Sequence, residues 1–203
     1  MEFIDTVEGL EALYGTPGTP GAASLRKVAD HLTPLYAKWI ERSRFVVLTT
    51  VGSGGTDGSP RGDDGAVVTA LDARTLAMPD WRGNQRLDSL RNIVEDGRVS
   101  LMFMVPGSNT VVRVNGQARL TADANLRARF EHKGRQPATV IVVTVGEVYT
   151  QCARAVMRAG LWSRNDAEGL PTPGEILAEV SGGEEGGQSY DAEWPERAAR
   201  TMW

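Results

Sequence analysis

Three short segments of the chain combine residue types and spacings that could do chemistry. The first is Ser59-Pro60-Arg61-Gly62-Asp63. Proline and glycine on either side of an arginine weaken strand pairing, as at a sheet edge or where a ligand approaches the backbone. The second runs from Met78 and Pro79 through Asn84 and Arg86 to Asp88. A strand ends there and a helix is expected to begin near Asn84, which could cap it. The unpaired N–H groups of a helix start form an anion site. Arg86 in a first turn runs against the helix dipole, which makes sense if a phosphate sits there, or if Arg86 pairs with a neighbouring carboxylate. The third is Cys152–Trp162, where Arg154 and Arg158 are four apart and share a helix face. Like charges at that spacing repel, so a shared anion would relieve a cost. Trp162, one turn on, could stack on a planar ring. A solvated basic face beside a core tryptophan is the plainer alternative.

Other motifs fail on register or context. In GSGGTDG (52–58), the sixth position of a GxGxxG pattern is Asp57, and a strand rather than a helix follows, so the segment reads as a hairpin loop. His31 and His132 are far apart with no HExxH or Cys/His cluster, so no metal site is expected. No GxSxG elbow occurs. Cys152, the single cysteine, rules out an intrachain disulfide and reads more readily as a small buried filler than as a nucleophile.

The elements that must position these segments are legible from periodicity. Residues 3–14 carry Phe3, Val7, Leu10 and Tyr14 at helical spacing, and TPGTPG (16–21) breaks the helix. A second helix is expected over Ala22–His31. A third follows Thr33, a cap with Pro34 in the first turn. Strands are expected at 45–51, 66–71, 75–78, 99–105, 110–121 and 138–149, with helices at 84–95 and 122–133. A short helix after Cys152 leads into a Pro/Gly-rich acidic tail. Short strands joined by hairpins predict a mainly β fold with flanking helices, an antiparallel six-stranded barrel. The strand–helix–strand alternation of a parallel sheet is missing. The expected organisation is a helical extension (1–43), a barrel domain (44–152) and a helical or irregular C-terminal segment (153–203).

Composition narrows the class. The 203 residues are 41% hydrophobic and 24% charged, with net charge −4, as for a globular chain. Residues 166–203 hold nine acids and two bases. The rest is slightly basic without a basic stripe, which argues against nucleic acid. The N-terminus lacks signal-peptide organisation, and the apolar runs fall far short of the ~20 residues a membrane helix needs. A cytoplasmic location is therefore expected, without membrane association.

SPRGD (59–63), PDWRGNQRLD (79–88), RVNG (113–116) and CARAVMRAGLW (152–162) occur in that order. Together with the strand pattern, the chain resembles the FMN-binding split barrel of the pyridoxamine 5'-phosphate oxidase-related family, in particular a bacterial subgroup with these motifs. The resemblance covers about residues 40–165. It implies a homodimer with FMN at the subunit interface. Ser59, Arg61, Gly62 and Asp63 would line the flavin and ribityl chain, with Met78 and Pro79 against the ring system. Asn84 and Arg86 would hold the phosphate. Arg113 and Asn115 would lie on the strand facing the cofactor. Arg154, Arg158 and Trp162 would reach it from the partner subunit. The C-terminal segment would pack on the dimer and cofactor, its acidic tail either a dimer-packing segment or a lid. The Arg-x-His substrate motif of true pyridoxamine-phosphate oxidases is missing, since no histidine follows His132, so vitamin B6 oxidation is not implied. The expectation is an FMN-dependent oxidoreductase of unnamed substrate, with NAD(P)H or another small molecule as donor. A non-catalytic flavin- or haem-binding module and a deazaflavin-dependent reductase on the same fold are the rivals.

Overall fold

A computed structural model describes residues 1–14, 21–81 and 83–202. The expected break at 16–21 therefore lies mostly outside the described residues. Seven antiparallel strands form one sheet: β1 (Phe45–Gly52), β2 (Gly55–Gly62), β3 (Thr69–Asp72), β4 (Thr75–Asp80), β5 (Arg98–Met104), β6 (Val111–Thr121) and β7 (Thr139–Gln151). Their order is β2-β1-β5-β6-β7-β4-β3. The fold is mainly β with flanking helices, as expected, and consistent with a split barrel. It differs in having seven strands rather than six, and the sheet is not closed by backbone pairing.

The additional strand is β2. Only Ser53 and Gly54 form the hairpin turn, with Gly55 at φ +111°, and pairing with β1 runs without interruption from Gly52↔Gly55 to Phe45↔Gly62. Pro60 does not break the ladder, because β2 is an edge strand that can spare one N–H.

Alternation of side chains puts Val46 and Leu48 of β1, Leu101 and Phe103 of β5, Val112 and Val114 of β6, and Ile141 and Val143 of β7 into one core. On β7 the buried positions switch from odd (Val143, Val145) to even (Val148). The cause is a bulge: Asn115 pairs with Glu147 and Gly116 with Val145, leaving Gly146 extra. A Cβ on Gly116 would lie 2.1 Å from the Thr144 carbonyl oxygen, so only glycine fits there.

The helices follow their caps. Thr33 accepts a bond from the Tyr36 N–H and opens α3 (Pro34–Ile40), whose Ile40 is fully buried. Before it, α1 (Val7–Tyr14) buries nothing and α2 (Ala22–Arg26) is shorter than expected. Between the strands, α4 (Asp88–Glu95) inserts Ile93 into the core, and α5 (Ala124–Ala128) is capped by Asp123. After β7 come α6 (Arg154–Ala159), α7 (Pro173–Val180) and α8 (Gly187–Thr201). The last two form a helical hairpin within the acidic C-terminal segment. Cys152 is exposed rather than a buried filler, since it follows the last paired residue of β7. No helix among the described residues is long and apolar enough to cross a membrane.

Candidate functional site

The sheet order sets β2 at one edge and β4 one strand in from the other. No backbone pairing joins the two, yet Arg61 Nη1 of β2 donates to Asp80 Oδ1 of β4 at 2.7 Å. Both side chains are mostly buried, at 23% and 13% exposure. Side chains thus tie the two parts of the sheet together where the backbone leaves a gap. An open cleft of about 1710 Å³ lies along that gap.

Its walls come from four places in the chain. One is Asp57–Asp64 of β2 and the residues after it. The second is Met78–Trp81 at the end of β4, and the third is Gly83–Leu90. The fourth includes Arg127 and the Arg135–Ala138 approach to β7. Asp80 pairs with Thr139 in the ladder, which brings that approach to the end of β4. One lining residue, Met202, comes from the far end of the chain.

The 83–88 segment differs from the expected helix start. Helix α4 begins at Asp88, and Asn84 does not cap it. Instead Asn84 Oδ1 accepts from the Arg86 N–H at 3.1 Å, closing a local turn. Gln85 (φ +62°) and Leu87 (φ +61°) are left-handed, which a helix cannot include. Such backbone conformations cost of order 1–3 kcal/mol each and cluster at ligand sites. Arg86 therefore lies outside the first turn, and its Nε donates to Asp88 Oδ2 at 2.8 Å. The carboxylate contact that the sequence allowed for Arg86 is present.

Helix α4 is stitched to the β1–β2 hairpin by polar contacts. Ser89 Oγ donates to Asp57 Oδ2 at 2.6 Å and Asn92 Nδ2 to Thr50 Oγ1 at 3.0 Å. The N–H and hydroxyl of Ser53 both donate to Glu95 Oε2, at 2.9 and 3.0 Å, and hold that carboxyl below its ordinary pKa. These contacts fix the cleft wall that carries Asn84 and Arg86.

Two donors in the cleft wall lack a partner among the described residues: Arg61 Nε and Trp81 Nε1, both buried. A buried N–H without an acceptor costs about 1–3 kcal/mol. A ligand offering acceptor atoms at these two positions would relieve that cost. Pro60, Val67, Met78 and Pro79 supply apolar surface beside these donors, the mixture a flat heteroaromatic ring with a polar chain requires.

The cleft brings together Ser59, Arg61, Gly62, Asp63, Met78, Pro79, Asn84 and Arg86. It does not bring in the remaining candidates of the same chain. Arg113 stacks over the Tyr149 ring at 5.5 Å, and Asn115 donates to Glu147 at 2.7 Å, beside the β6–β7 bulge. Arg154 and Arg158 lie on α6, and Trp162 Nε1 donates to the Ser108 carbonyl at 2.8 Å. Sequence reading missed Asp80 as the partner of Arg61, although it stands inside a quoted motif. It also missed Trp81, which stands in the same motif, and Arg127 and Met202, for which only spatial convergence gives a signal. Among the described residues no group of His, Cys, Asp and Glu could hold a metal ion.

Similar solved structures include HupZ from Group A Streptococcus, 16% identical over 59% of this chain and 93% of that one, with a TM-score of 0.48. A candidate pyridoxamine 5'-phosphate oxidase from Lactobacillus delbrueckii is 22% identical over 60% and 95%, with a TM-score of 0.47. An FMN-binding protein from Syntrophomonas wolfei is 14% identical over 57% and 87%, with a TM-score of 0.41. No curated protein matches. The family model for pyridoxamine 5'-phosphate oxidase, in contrast, matches residues 32–152. This span contains all seven strands and nearly the whole cleft wall, and by it the chain belongs to the pyridoxamine 5'-phosphate oxidase family.

Proposed function

We propose that this chain binds FMN in the cleft between β2 and β4 and works as an FMN-dependent oxidoreductase. The observation that carries the reading is Arg61. Its guanidinium is anchored to Asp80 across the gap in the sheet, while its buried Nε has no acceptor among the described residues. Membership in the pyridoxamine 5'-phosphate oxidase family supports FMN as the cofactor.

In this reading Arg61 and the Trp81 N–H meet acceptor atoms of the cofactor. Ser59, Gly62 and Asp63 follow its chain along the edge strand, and Met78 and Pro79 form the apolar wall. Asn84 and Arg86 serve the phosphate end, where Arg86 exchanges or shares its Asp88 contact. Bound FMN supplies hydride or single-electron transfer, which no side chain of the cleft can perform. The protein's part is to position the ring, exclude water and fix the charge around it.

Arg154, Arg158 and Trp162 lie outside the cleft of their own chain, so a role for them requires a second protomer. The proposal therefore includes a homodimer in which each cleft is completed by the partner, as the family resemblance implies. Arg113 and Asn115 belong to the same proposal, reaching a cofactor only across that interface. The second reactant is NAD(P)H or another small molecule, and the expected compartment is the cytoplasm.

The test is a titration of purified protein with FMN, followed by absorption and flavin fluorescence, then anaerobic addition of NADPH. Binding should appear at one FMN per chain, and Arg61→Ala should weaken it at least tenfold. Wild-type protein that leaves FMN free at high micromolar concentration defeats the reading. A Soret band or a deazaflavin spectrum in the isolated protein would transfer the site to haem or to deazaflavin. Bound FMN that no donor reduces would make the chain a non-catalytic flavin carrier.

A further inference from the structure

The C-terminal hairpin is firmly built within itself. Thr172 and Glu175 form a reciprocal cap at the start of α7. Asp191 of α8 accepts from the Thr172 hydroxyl at 2.5 Å and from the Gly174 N–H at 2.8 Å. The helices approach so closely at Gly174 that an added Cβ would lie 2.5 Å from the Gly187 carbonyl oxygen. Arg197 stacks over Tyr190 at 4.4 Å and over Trp194 at 5.3 Å. The two helices therefore move as one body.

That body is held loosely to the rest. Gly174 is the only residue of either helix that is fully buried, and Ile176, Val180 and Trp194 are 50%, 76% and 53% exposed. Residues 161–172, on the way from α6 to α7, are all exposed. Segments with few buried apolar contacts open at a small fraction of the global unfolding free energy. Yet just beyond α8, Met202 lines the cleft between β2 and β4.

We infer that the α7–α8 hairpin is a rigid, detachable cover of the cleft, and that Met202 is the residue by which it closes. The cover acts in cis. It narrows the mouth of the open trough and controls how fast a ligand leaves. Asp191 is a positioning residue: it keeps α8 aligned on α7 and so delivers Met202. That Met202 meets the cleft stands on geometry alone, whereas FMN as the enclosed ligand rests on the flavin reading.

The experiment uses full-length protein carrying Cys152→Ser and Met202→Cys, with a nitroxide attached to the introduced thiol. Amide resonances of 57–64 and 83–90 should be broadened in the absence of any ligand. Adding Asp191→Asn should reduce that broadening while the core resonances stay in place. In unlabelled double-variant protein, FMN should slow modification of the introduced thiol at least tenfold. Met202→Ala should speed FMN release several-fold with little change in melting temperature. Broadening strongest away from the cleft overturns the inference, and so does bound FMN with an unaltered thiol reaction rate. Broadening as expected in a protein that binds no FMN upholds the cover and defeats only the flavin reading.

Discussion

The sheet and the C-terminal hairpin are held together by different physics. Leu48, Leu101, Phe103 and Ile141 are wholly buried between strands, and each large side chain removed from water contributes about 1.5–3 kcal/mol. The hairpin has no such anchor. Its order comes from a cap, a bridging carboxylate and a stacked guanidinium, contributions of about 1 kcal/mol each. The cleft lies along the gap between β2 and β4, and one residue just beyond the hairpin reaches it. One wall is rigid because it belongs to the sheet, and one contributor, Met202, belongs to the part that can leave.

Core truncation draws the contrast most sharply. Leu101→Ala should cost about 2–5 kcal/mol in chemical denaturation, whereas Ile176→Ala should stay within about 0.5 kcal/mol. Equal losses would mean the hairpin shares the sheet's core. Next comes the bulge: Gly116→Ala should destabilise by about 1–3 kcal/mol through the clash with Thr144, read by thermal melting. Of comparable or smaller size is the tie across the gap. Asp80→Asn leaves Arg61 without its carboxylate and should cost about 1–3 kcal/mol. The accompanying drop in FMN affinity would separate this tie from the bulge. Smaller again, Thr172→Ala should remove about 1 kcal/mol from the hairpin alone. Hydrogen exchange should speed up in α7 while the strands keep their protection.

The smallest effect is electrostatic. His31 and then Arg74 hydrogen-bond to Asp30 and hold its carboxyl down to about 2, below the ordinary 3.8. A depressed folded-state value means the contribution is complete above about pH 4 and is lost as pH falls toward 2. The pair is exposed and salt should weaken it. A carboxyl chemical-shift titration should find the Asp30 midpoint near 2, moving toward 3.8 in Arg74→Ala.

Much of the architecture was legible in advance. The expected strands β1 and β4–β7 lie within a few residues of those observed, because β1, β6 and β7 are rich in Val and Thr and β4 and β5 are short apolar runs bounded by turns. Thr33–Pro34 marked the start of α3 correctly. Strand β2 was not legible: glycine, aspartate and proline give it no β signature, and it exists because β1 offers it a ladder. The α4 start was misread for a related reason. Asn84 is a plausible cap, and the left-handed turns at Gln85 and Leu87, which delay the helix to Asp88, have no glycine to announce them.

The site divides along the same line. Sequence alone determined the contiguous motifs, so Ser59–Asp63, Met78–Pro79 and Asn84–Arg86 could be named, because neighbours in the chain stay neighbours in the fold. Only the tertiary structure decided which of them share a cleft. It set Arg61 against Asp80, left Arg113, Asn115, Arg154, Arg158 and Trp162 outside, and brought Met202 in from the far terminus. Such pairings depend on strand order and on how two helices lean, which are properties of the packed core as a whole and are written in no local stretch of residues.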